Sequence, residues 1–337
     1  MAGRILLTGG AGYIGSHTFL ALRAAGYDPI ILDDFSNANA DVPDRLAQIS
    51  GAAVAVLHAD VRDEARLRQI FSDHKFDAVI HFAAKKAVGE SVAKPLLYYD
   101  TNIGGLLSLT TVMAEHGCKT IVFSSSATVY GEPDEAPTPE TAPRRAMNPY
   151  GQTKIMSEEM LEAIMRADPE WSVGILRYFN PVGAHSSGLI GENPRDIPNN
   201  LMPYIAKVAL GELPEIQVFG NDYKTHDGTG VRDYIHVDDL ANAHLLSLKS
   251  LLEKHEGHLV NIGTGRGYSV MEMIKAYSQA CGQDLPYRIT ARRPGDVPIY
   301  CAKTGKAEEI LGFQAKYGLD EICASSWKWV SGQLKGQ

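Results

Sequence analysis

A glycine-rich turn near the N-terminus constrains the fold of this 337-residue chain more than any other stretch. The apolar run 4–8 leads directly into Gly9-Gly-Ala-Gly-Tyr-Ile-Gly15, and a helical pattern follows. Glycines at these spacings allow a tight turn and let a bound phosphate approach the backbone at the N-terminus of the next helix. A strand, a glycine turn and a helix in this order predict the first unit of a dinucleotide-binding domain. The predicted contacts are Gly9, Gly12, Tyr13, Ile14 and Gly15.

The second predicted strand, 29–33, ends in an acidic residue, Asp33. An acid about 20 residues beyond such a turn accepts hydrogen bonds from both hydroxyls of the adenosine ribose, and it repels a 2′-phosphate. The sequence therefore favours NAD over NADP as the cofactor. Asp34 is an alternative for this role, and Asn37 in the following loop is a further predicted contact.

Apolar runs continue to alternate with helical patterns through the first half of the chain. Strands are predicted at 53–60, 77–83 and 119–126, and a long helix is predicted at 95–117. Near-continuous apolar strands alternating with helices are typical of a doubly wound parallel sheet, whose ligands gather at the carboxyl ends of the strands. We expect Asp60 and Val61 at the adenine. Cofactor contacts are also predicted for Phe82, Ala83, Asn102, Ser124 and Tyr178.

The fifth strand ends in Ser124-Ser-Ser126, and the next helix, opened by Asn148-Pro149, carries Tyr150 and Lys154. Residues four apart share one face of a helix. At ~6 Å and an effective dielectric of ~20, an ammonium stabilises a phenolate by roughly 2.8 kcal/mol, or about two pKa units. We therefore expect Lys154 to bring the pKa of Tyr150 toward the range of a general base.

A serine at the end of the fifth strand followed by Tyr-x-x-x-Lys, within an NAD-binding fold, resembles the short-chain dehydrogenase/reductase superfamily. The resemblance implies that Ser126 and Tyr150 contact the reacting oxygen. It also implies that Lys154 holds the nicotinamide ribose, so that all three residues are catalytic. Tyr150 and Lys154 then contact the cofactor too.

The regular alternation stops after residue 180, where loops rich in Gly, Pro and Asn begin. We expect an NAD-binding Rossmann domain over 1–180 and a smaller α/β substrate domain over 181–337, with 232–262 partly rejoining the first. Arg232 lies on one loop of this second part, and the pair Arg292-Arg293 lies on another. Two guanidinium groups suit a diphosphate held from both sides.

Several longer motifs are similar to the UDP-glucose 4-epimerase family, and the match runs in order over essentially the whole chain. They include Tyr-Phe-Asn-Pro-Val-Gly-Ala-His at 178–185, Ile-Pro-Asn-Asn-Leu-Met-Pro-Tyr at 197–204 and Gly-Asn-Asp-Tyr at 220–223. Further matching stretches are 87–92, 123–131 and 227–237.

This resemblance implies a set of contacts to a UDP-sugar. The diphosphate would be bound by Asn180, Asn200, Leu201, Arg232 and Arg293, the uracil by Val218 and Phe219, the uridine ribose by Asp296, and the hexose side by Tyr300. Ser126, Phe179 and Gln217 would be further substrate contacts. Lys86 would approach the nicotinamide. One departure is Phe82-Ala-Ala-Lys-Lys86, where the family usually has Gly and an apolar residue before the lysine. Lys85 is therefore an alternative, and Lys86 is favoured because it keeps the register.

The resemblance implies reversible interconversion of UDP-galactose and UDP-glucose. C4 is oxidised to a ketone, the ketosugar rotates, and the hydride returns to the other face. The alternatives are a 4,6-dehydratase, an epimerase for UDP-N-acetylhexosamines or UDP-pentoses, a net NAD-dependent dehydrogenase, and an NAD-sensing regulator without activity. A 4,6-dehydratase carries Asp-Glu directly after the strand-five hydroxyl residues, whereas Ala127-Thr128 follow here. The bulk of Tyr300 favours UDP-hexoses without an N-acetyl group. The family also implies a homodimer through helices around 96–116 and 148–167.

The composition narrows the remaining possibilities. A net charge of −8 disfavours nucleic acid as a partner. The four cysteines have no metal-ligand spacing and predict reduced thiols and no bound metal. No apolar run approaches the ~20 residues of a membrane span, and the predicted strand beginning at Arg4 leaves no room for a signal peptide. We expect a cytoplasmic protein.

Overall fold

The computed structural model describes residues 3–194, 198, 200–293 and 295–334. In its first half, strands and helices alternate as the sequence predicts. In chain order they are β1 (Arg4–Thr8), α1 (Tyr13–Ala24), β2 (Asp28–Asp33), α2 (Val42–Ser50), β3 (Val56–His58), α3 (Glu64–Asp73), β4 (Ala78–His81), α4 (Val88–Ala93), α5 (Pro95–Tyr98), a π-helical segment (Tyr99–Gly104), α6 (Gly105–Glu115), β5 (Thr120–Ser126), a 3-10 turn (Ala127–Tyr130), α7 (Pro149–Ala167) and β6 (Ser172–Tyr178).

The second half has shorter strands and longer connections. Its elements are β7 (Asn180–Val182), α8 (Leu201–Ala209), β8 (Ile216–Phe219), β9 (Val231–Arg232), β10 (Tyr234–His236), α9 (Val237–Lys254), β11 (His258–Ile262), β12 (Tyr268–Ser269), α10 (Val270–Cys281), β13 (Tyr287–Thr290), β14 (Ile299–Tyr300), α11 (Gly305–Leu311) and α12 (Leu319–Leu334).

The main sheet has seven parallel strands in the order β11-β6-β5-β4-β1-β2-β3. The order reverses between β1 and β4, and in such a sheet ligands bind in the crevice beside that reversal. The predicted doubly wound Rossmann sheet is therefore confirmed. The third strand is shorter than predicted, with three residues in place of 53–60.

Both faces of the main sheet are covered by helices, which explains the continuous apolar strands. Ile5 and Leu7 pack into one hydrophobic layer, with residues of α1 and α9. Leu6, between them, packs into the opposite layer with residues of α3, α6 and α7. Alternation of side chains along a strand lets three successive apolar residues serve two layers.

Much of the second half forms three small sheets around a separate hydrophobic cluster. The sheets have the orders β10-β7, β12-β9-β14 and β13-β8. The cluster joins residues of α8, α10 and α12, including Ile205, Tyr277 and Ile322. Strand β11 instead pairs with β6 at the edge of the main sheet, and α9 packs beside α1.

The predicted helix 95–117 is broken into α5, the π-helical segment and α6. Asn102 lies within the π-helical segment, and a wider turn of this kind commonly accompanies functional sites. Helix α7 begins as predicted, because the Asn148 side chain accepts a hydrogen bond from the backbone N–H of Gly151 at 2.9 Å and Pro149 occupies the first turn. Among the residues that the structure describes, no helix is both long and apolar enough to cross a bilayer.

Candidate active site

The glycine turn closes tightly between β1 and α1. Gly9 has φ +70°, and a Cβ there would lie 2.7 Å from the backbone nitrogen of Ala83. A Cβ on Gly15 would lie 2.5 Å from the Gly9 carbonyl oxygen, so that position also has no space for a side chain. Gly12 is the N-cap of α1, so the backbone N–H groups of the first turn of this helix lie next to the glycine turn. The turn is therefore suited to a pyrophosphate at the helix N-terminus. Tyr13 and Ile14 follow in the first turn of α1.

Asp33 ends β2 beside this turn. Its carboxylate accepts hydrogen bonds from the backbone N–H of Ala11 at 3.0 Å and of Phe35 at 2.9 Å. Burial raises the pKa of Asp33, and these two N–H groups oppose that rise. Asp34 is exposed and accepts from the N–H of Ser36 instead. The structure thus places Asp33, and not Asp34, at the glycine turn; Asn37 lies exposed on the loop that follows.

The loop after β3 carries the residues predicted to meet the adenine. Hydrogen bonds from the Arg62 guanidinium lower the pKa of Asp60, and the same guanidinium also bonds Asp100. Val61 is 5% exposed. The Asp60 carboxylate is therefore held within a surface ion-pair network at the edge of the sheet.

The loop after β4 decides between the two neighbouring lysines. Lys85 is fixed by its backbone, since its N–H donates to Asn102 Oδ1 at 2.8 Å and its carbonyl accepts from Asn102 Nδ2 at 3.1 Å. Lys86 Nζ donates to Glu192 Oε1 at 3.0 Å, and the Lys86 charge acts on Tyr150 to lower its pKa. This geometry supports Lys86 as the lysine that faces the site.

Asn102 links this loop to α7, because its Nδ2 also donates to Thr153 Oγ1 at 3.0 Å. Phe82 and Ala83 begin the same loop: the Phe82 N–H bonds the Thr8 carbonyl at 2.9 Å, and Ala83 lies against Gly9. The predicted cofactor residues after β1 and β4 are thus in direct contact with one another.

The predicted catalytic residues converge where β5 ends and α7 begins. Lys154 Nζ donates to the Ser124 carbonyl at 2.7 Å and lies 5.9 Å from the centroid of the Tyr150 ring. Tyr150 is 7% exposed, and Lys154 is 4% exposed. Ser126 Oγ accepts hydrogen bonds from Thr128 N–H and Oγ1 at 3.3 and 3.0 Å, and a hydrogen bond from Ser126 favours the phenolate of Tyr150.

Burial governs the protonation of this pair. It raises the pKa of Tyr150, while Ser126 and the Lys86 charge oppose the rise. Burial also lowers the pKa of Lys154 to about 8, against the effect of Glu158. The net pKa of Tyr150 therefore does not move toward the range of a general base as expected from the sequence, because the cost of burying a phenolate outweighs the neighbouring positive charges.

Tyr178 ends β6 directly opposite Ser126 in the sheet. A hydrogen bond from Ser124 lowers the pKa of Tyr178, but burial raises it more strongly. Ser124 Oγ also lies 2.9 Å from Nε2 of the buried His244, a residue that sequence reasoning did not single out. The carboxyl ends of β5 and β6 thus carry polar side chains side by side, with His244 of α9 in contact with both Ser124 and Tyr178.

Residues of the second half reach the same edge. The Tyr300 hydroxyl donates to the Ala127 carbonyl, adjacent to Ser126, and the Tyr300 ring lies 5.3 Å from that of Phe179. Asn180 follows on β7, where its N–H donates to the Asp233 carbonyl at 3.0 Å. Tyr300, which is predicted for the hexose side, therefore lies beside the predicted catalytic serine and packs against Phe179.

Two guanidinium groups lie on neighbouring segments. Arg232 Nη1 donates to the carbonyls of Val231 and Val297 at 2.9 Å, and Nη2 donates to Asp296 Oδ1 at 3.3 Å. The Arg293 guanidinium stacks 3.8 Å above the centroid of the Phe219 ring. The loop that carries Arg293 and Asp296 thus contacts both β9 and β8, as a clamp around a diphosphate and its nucleoside would require.

The remaining predicted substrate residues differ in how exposed they are. Asn200 is the exposed N-cap of α8, and Leu201 begins that helix. Gln217 and Phe219 are partly exposed on β8, but Val218 between them is fully buried in the second hydrophobic cluster. Val218 can therefore contact a ligand only through its backbone. Ile197 and Asn199 of the 197–204 motif lie outside the described residues.

Sequence reasoning missed two acidic residues close to the site. Glu192 pairs with Lys86 from a loop more than 100 residues away, and no local pattern signals that contact. Glu158 lies one helical turn beyond Lys154 and is fully buried. Its spacing from Tyr150 and Lys154 was a signal that could have found it.

Comparison with known proteins places these features in a family. The NAD dependent epimerase/dehydratase family matches residues 5–263. UDP-glucose 4-epimerase from Bacillus subtilis is 52% identical over 98% of this chain and 98% of its own length. The crystal structure of UDP-glucose 4-epimerase from Stenotrophomonas maltophila, with bound NAD and formylated UDP-arabinopyranose, has a TM-score of 0.98 and 47% identity, covering 99% of this chain and all of that one. The enzyme from Bifidobacterium longum, in complex with NAD+ and UDP, has a TM-score of 0.92 and 49% identity, with the same coverage.

Proposed function

Because this chain belongs to the UDP-glucose 4-epimerase family, within the NAD dependent epimerases and dehydratases, we propose that it interconverts UDP-galactose and UDP-glucose with bound NAD. One observation of the structure carries the proposal. Ser126, Tyr150 and Lys154 lie together at the strand ends beside a glycine turn that fits a pyrophosphate, and Tyr300 contacts the same strand end.

We propose that residues 1–180 bind NAD and that 181–337 bind the UDP-sugar, with 232–262 partly returning to the first domain. The pairing of β11 with β6 supports that return. Most of the cofactor residues that we assign lie at or just after the carboxyl ends of β1 to β6, where a doubly wound sheet binds dinucleotides. The exceptions are Asn102 in the π-helical segment and Tyr150 and Lys154 on α7. Apart from Ser126 at the end of β5 and Phe179 between β6 and β7, the substrate residues lie on β7 to β9, at the start of α8 and on the segment that precedes and includes β14.

The chemistry that NAD supplies is acceptance of a hydride from C4 and its later return. Tyr150, as the phenolate, accepts the proton of the 4-hydroxyl group. Ser126 donates a hydrogen bond to the same oxygen, and the ammonium of Lys154 favours the phenolate. Arg232 and Arg293 keep the diphosphate bound while the 4-ketosugar rotates. Tyr150 then returns the proton when the opposite face of the sugar is presented.

Tyr300 supports a preference for UDP-hexoses without an N-acetyl group. Its ring packs on Phe179, and its hydroxyl is bonded to the Ala127 carbonyl, so a bulky side chain is fixed beside Ser126. We propose that it narrows the pocket at the hexose. Closely similar turnover of UDP-galactose and UDP-N-acetylgalactosamine would contradict this assignment.

The protein is also proposed to act as a homodimer. The exposed apolar side chains Val92, Leu96 and Leu107 lie on α4, α5 and α6, with exposures of 64, 81 and 54%. Large apolar side chains that are exposed on three successive helices support an interface with another protein surface there. A cytoplasmic role in galactose metabolism belongs to the same proposal, and four free cysteines support a reducing compartment.

The experiment that tests the function is incubation with UDP-galactose without added reductant, followed by separation of the nucleotide sugars. We expect UDP-glucose to appear with no accumulation of free NADH. A net dehydrogenase would release NADH, a dehydratase would yield a 4-keto-6-deoxy product, and a sensor would leave the sugar unchanged. Tyr150→Phe serves as the control and should abolish turnover while UDP still binds in calorimetry.

A further inference from the structure

A fully buried carboxylate lies directly behind the proposed catalytic pair. Helix α7 carries Tyr150, Lys154, Glu158 and Glu162 at a spacing of four residues, which places them along one face. Glu158 has no exposed surface, whereas the side chain of Glu162 is 30% exposed. Glu158 is therefore the acidic residue of this row that lies in the protein interior, next to the proposed catalytic pair.

Four hydrogen bonds satisfy the Glu158 carboxylate. Oε1 accepts from Ser125 Oγ at 2.5 Å and from Arg177 Nε at 2.9 Å. Oε2 accepts from Arg177 Nη2 at 2.6 Å and from Arg144 Nη1 at 3.4 Å. The Arg177 side chain is only 3% exposed, so the two form a buried, bidentate ion pair.

Ser125 connects this ion pair to strand β5. The Ser124 carbonyl accepts a hydrogen bond from Lys154, and the Ser125 hydroxyl donates one to Glu158. Two consecutive residues of β5 are thus hydrogen-bonded to successive turns of one helix, and the next residue, Ser126, lowers the pKa of Tyr150 on the same helix. Ser125 also lies directly opposite Arg177 in the sheet. The ion pair therefore joins α7 to β5 and β6 at the level of the reacting groups.

We propose that Glu158 and Arg177 are positioning residues, which fix the register of α7 against β5 so that Tyr150 and Lys154 hold their places beside Ser126 and Ser124. The proposal rests on the function assigned above to Tyr150 and Lys154. Apolar residues of similar volume would pack this helix on the sheet with a smaller desolvation cost. A bidentate pair instead sets one orientation and one register.

The charge of Glu158 has a second consequence for Lys154. The titratable and charged groups around Lys154 are Tyr150 and Glu158 on its own helix and His81 on β4, with Arg177 on β6 behind Glu158 and Lys86 beyond Tyr150. Burial lowers the pKa of His81 to about 3, so His81 stays neutral, and Glu158 favours the charged form of Lys154. Loss of the Glu158 charge should make Lys154 release its proton at a lower pH.

Glu158→Gln tests the proposal, with Glu162→Gln as the matched control on the same helix face, since Glu162 also bonds Arg144. We expect Glu158→Gln to lower kcat at least tenfold while KM for UDP-galactose changes less than threefold. The alkaline limb of the kcat profile should also move to lower pH, because Glu158 raises the pKa of Lys154. Glu162→Gln should keep kcat and KM within twofold of the parent enzyme and leave the alkaline limb where it is.

A second variant keeps the test decisive if Glu158→Gln does not fold, because Arg177 would then be buried without its counter-ion. Ser125→Ala leaves the ion pair intact and removes only the bond from β5; circular dichroism checks its fold. We expect a drop in kcat of about threefold with KM unchanged. Parent-like kcat in Ser125→Ala, or in a folded Glu158→Gln, would overturn the inference while an inactive Tyr150→Phe left the proposed function standing. An active Tyr150→Phe would instead overturn the function itself.

Discussion

Replacing Lys154 with methionine separates its charge from its bulk. Methionine is unbranched and of similar length, so it can occupy the buried site between the Phe123 and Tyr150 rings without an ammonium. The change removes the hydrogen bond to the Ser124 carbonyl and the positive charge 5.9 Å from the Tyr150 ring centroid. At an effective dielectric of ~20, that charge is worth roughly 2.8 kcal/mol to a phenolate, or about two units of the Tyr150 pKa.

The expected loss of activity follows from that magnitude. Because Tyr150 is already buried and its pKa already raised, two further units should reduce the phenolate fraction about 100-fold at neutral pH. A coupled assay that follows UDP-glucose from UDP-galactose between pH 6 and 10 measures the effect. We expect the difference in activity between Lys154→Met and the parent to become smaller as pH rises, because Tyr150 then ionises without the help of the ammonium.

Lys85→Met is the matched control, since Lys85 contacts Asn102 only through its backbone. It should retain near-parent activity over the whole range. A loss of less than threefold in Lys154→Met at neutral pH would refute the electrostatic reasoning. A large loss that did not change with pH would show that Lys154 acts through position and not through charge.

Three further substitutions test separate parts of the site. Arg232→Leu should raise KM for UDP-galactose about 30-fold with a small change in kcat, because a charge-assisted hydrogen bond to phosphate is worth about 2 kcal/mol; an unchanged KM would remove Arg232 from the diphosphate site. Asp33→Ala should weaken binding of NAD more than that of NADP in fluorescence titrations, because the carboxylate that repels a 2′-phosphate is gone; parallel losses for both cofactors would speak against this role. Tyr300→Ser should increase the rate on UDP-N-acetylgalactosamine relative to UDP-galactose, whereas an unchanged ratio would mean that another residue limits the pocket.

Sequence reasoning located the Rossmann half well because its signals are local. The strand before Gly9 and the helix opened by Asn148 are each specified by residues within a few positions of one another. Parallel strands that are buried on both faces also appear in the sequence as nearly continuous apolar runs. The break in the helix at 99–104 could not be seen in this way, because its environment includes Lys85 and Thr153, which are distant in sequence.

The second half was predicted from resemblance and not from pattern, for a physical reason. Strands β9, β12 and β14 have two residues each, too few for any periodicity to register. Their pairing depends on contacts between segments such as 231–232 and 299–300. Val218 shows that a contact carried over from a family residue by residue takes no account of burial. Its side chain packs into the core, although its neighbours on β8 are partly exposed.

The protonation of the site also depends on distant residues. The fall in the pKa of Lys154 from its ordinary value to about 8 corresponds to about 3 kcal/mol of unfavourable charge burial below that pH. Since the folded pKa lies below the unfolded one, this cost is full at neutral pH and is relieved as pH rises from about 8 toward 10.5. The same burial raises the pKa of Tyr150, so desolvation acts against the ionic form of both residues. A positive charge entering beside Tyr150 would favour the phenolate and disfavour the ammonium, whereas Glu158 favours the ammonium alone. Glu158 therefore supports the charged form of Lys154, because it opposes the fall in the Lys154 pKa that burial causes.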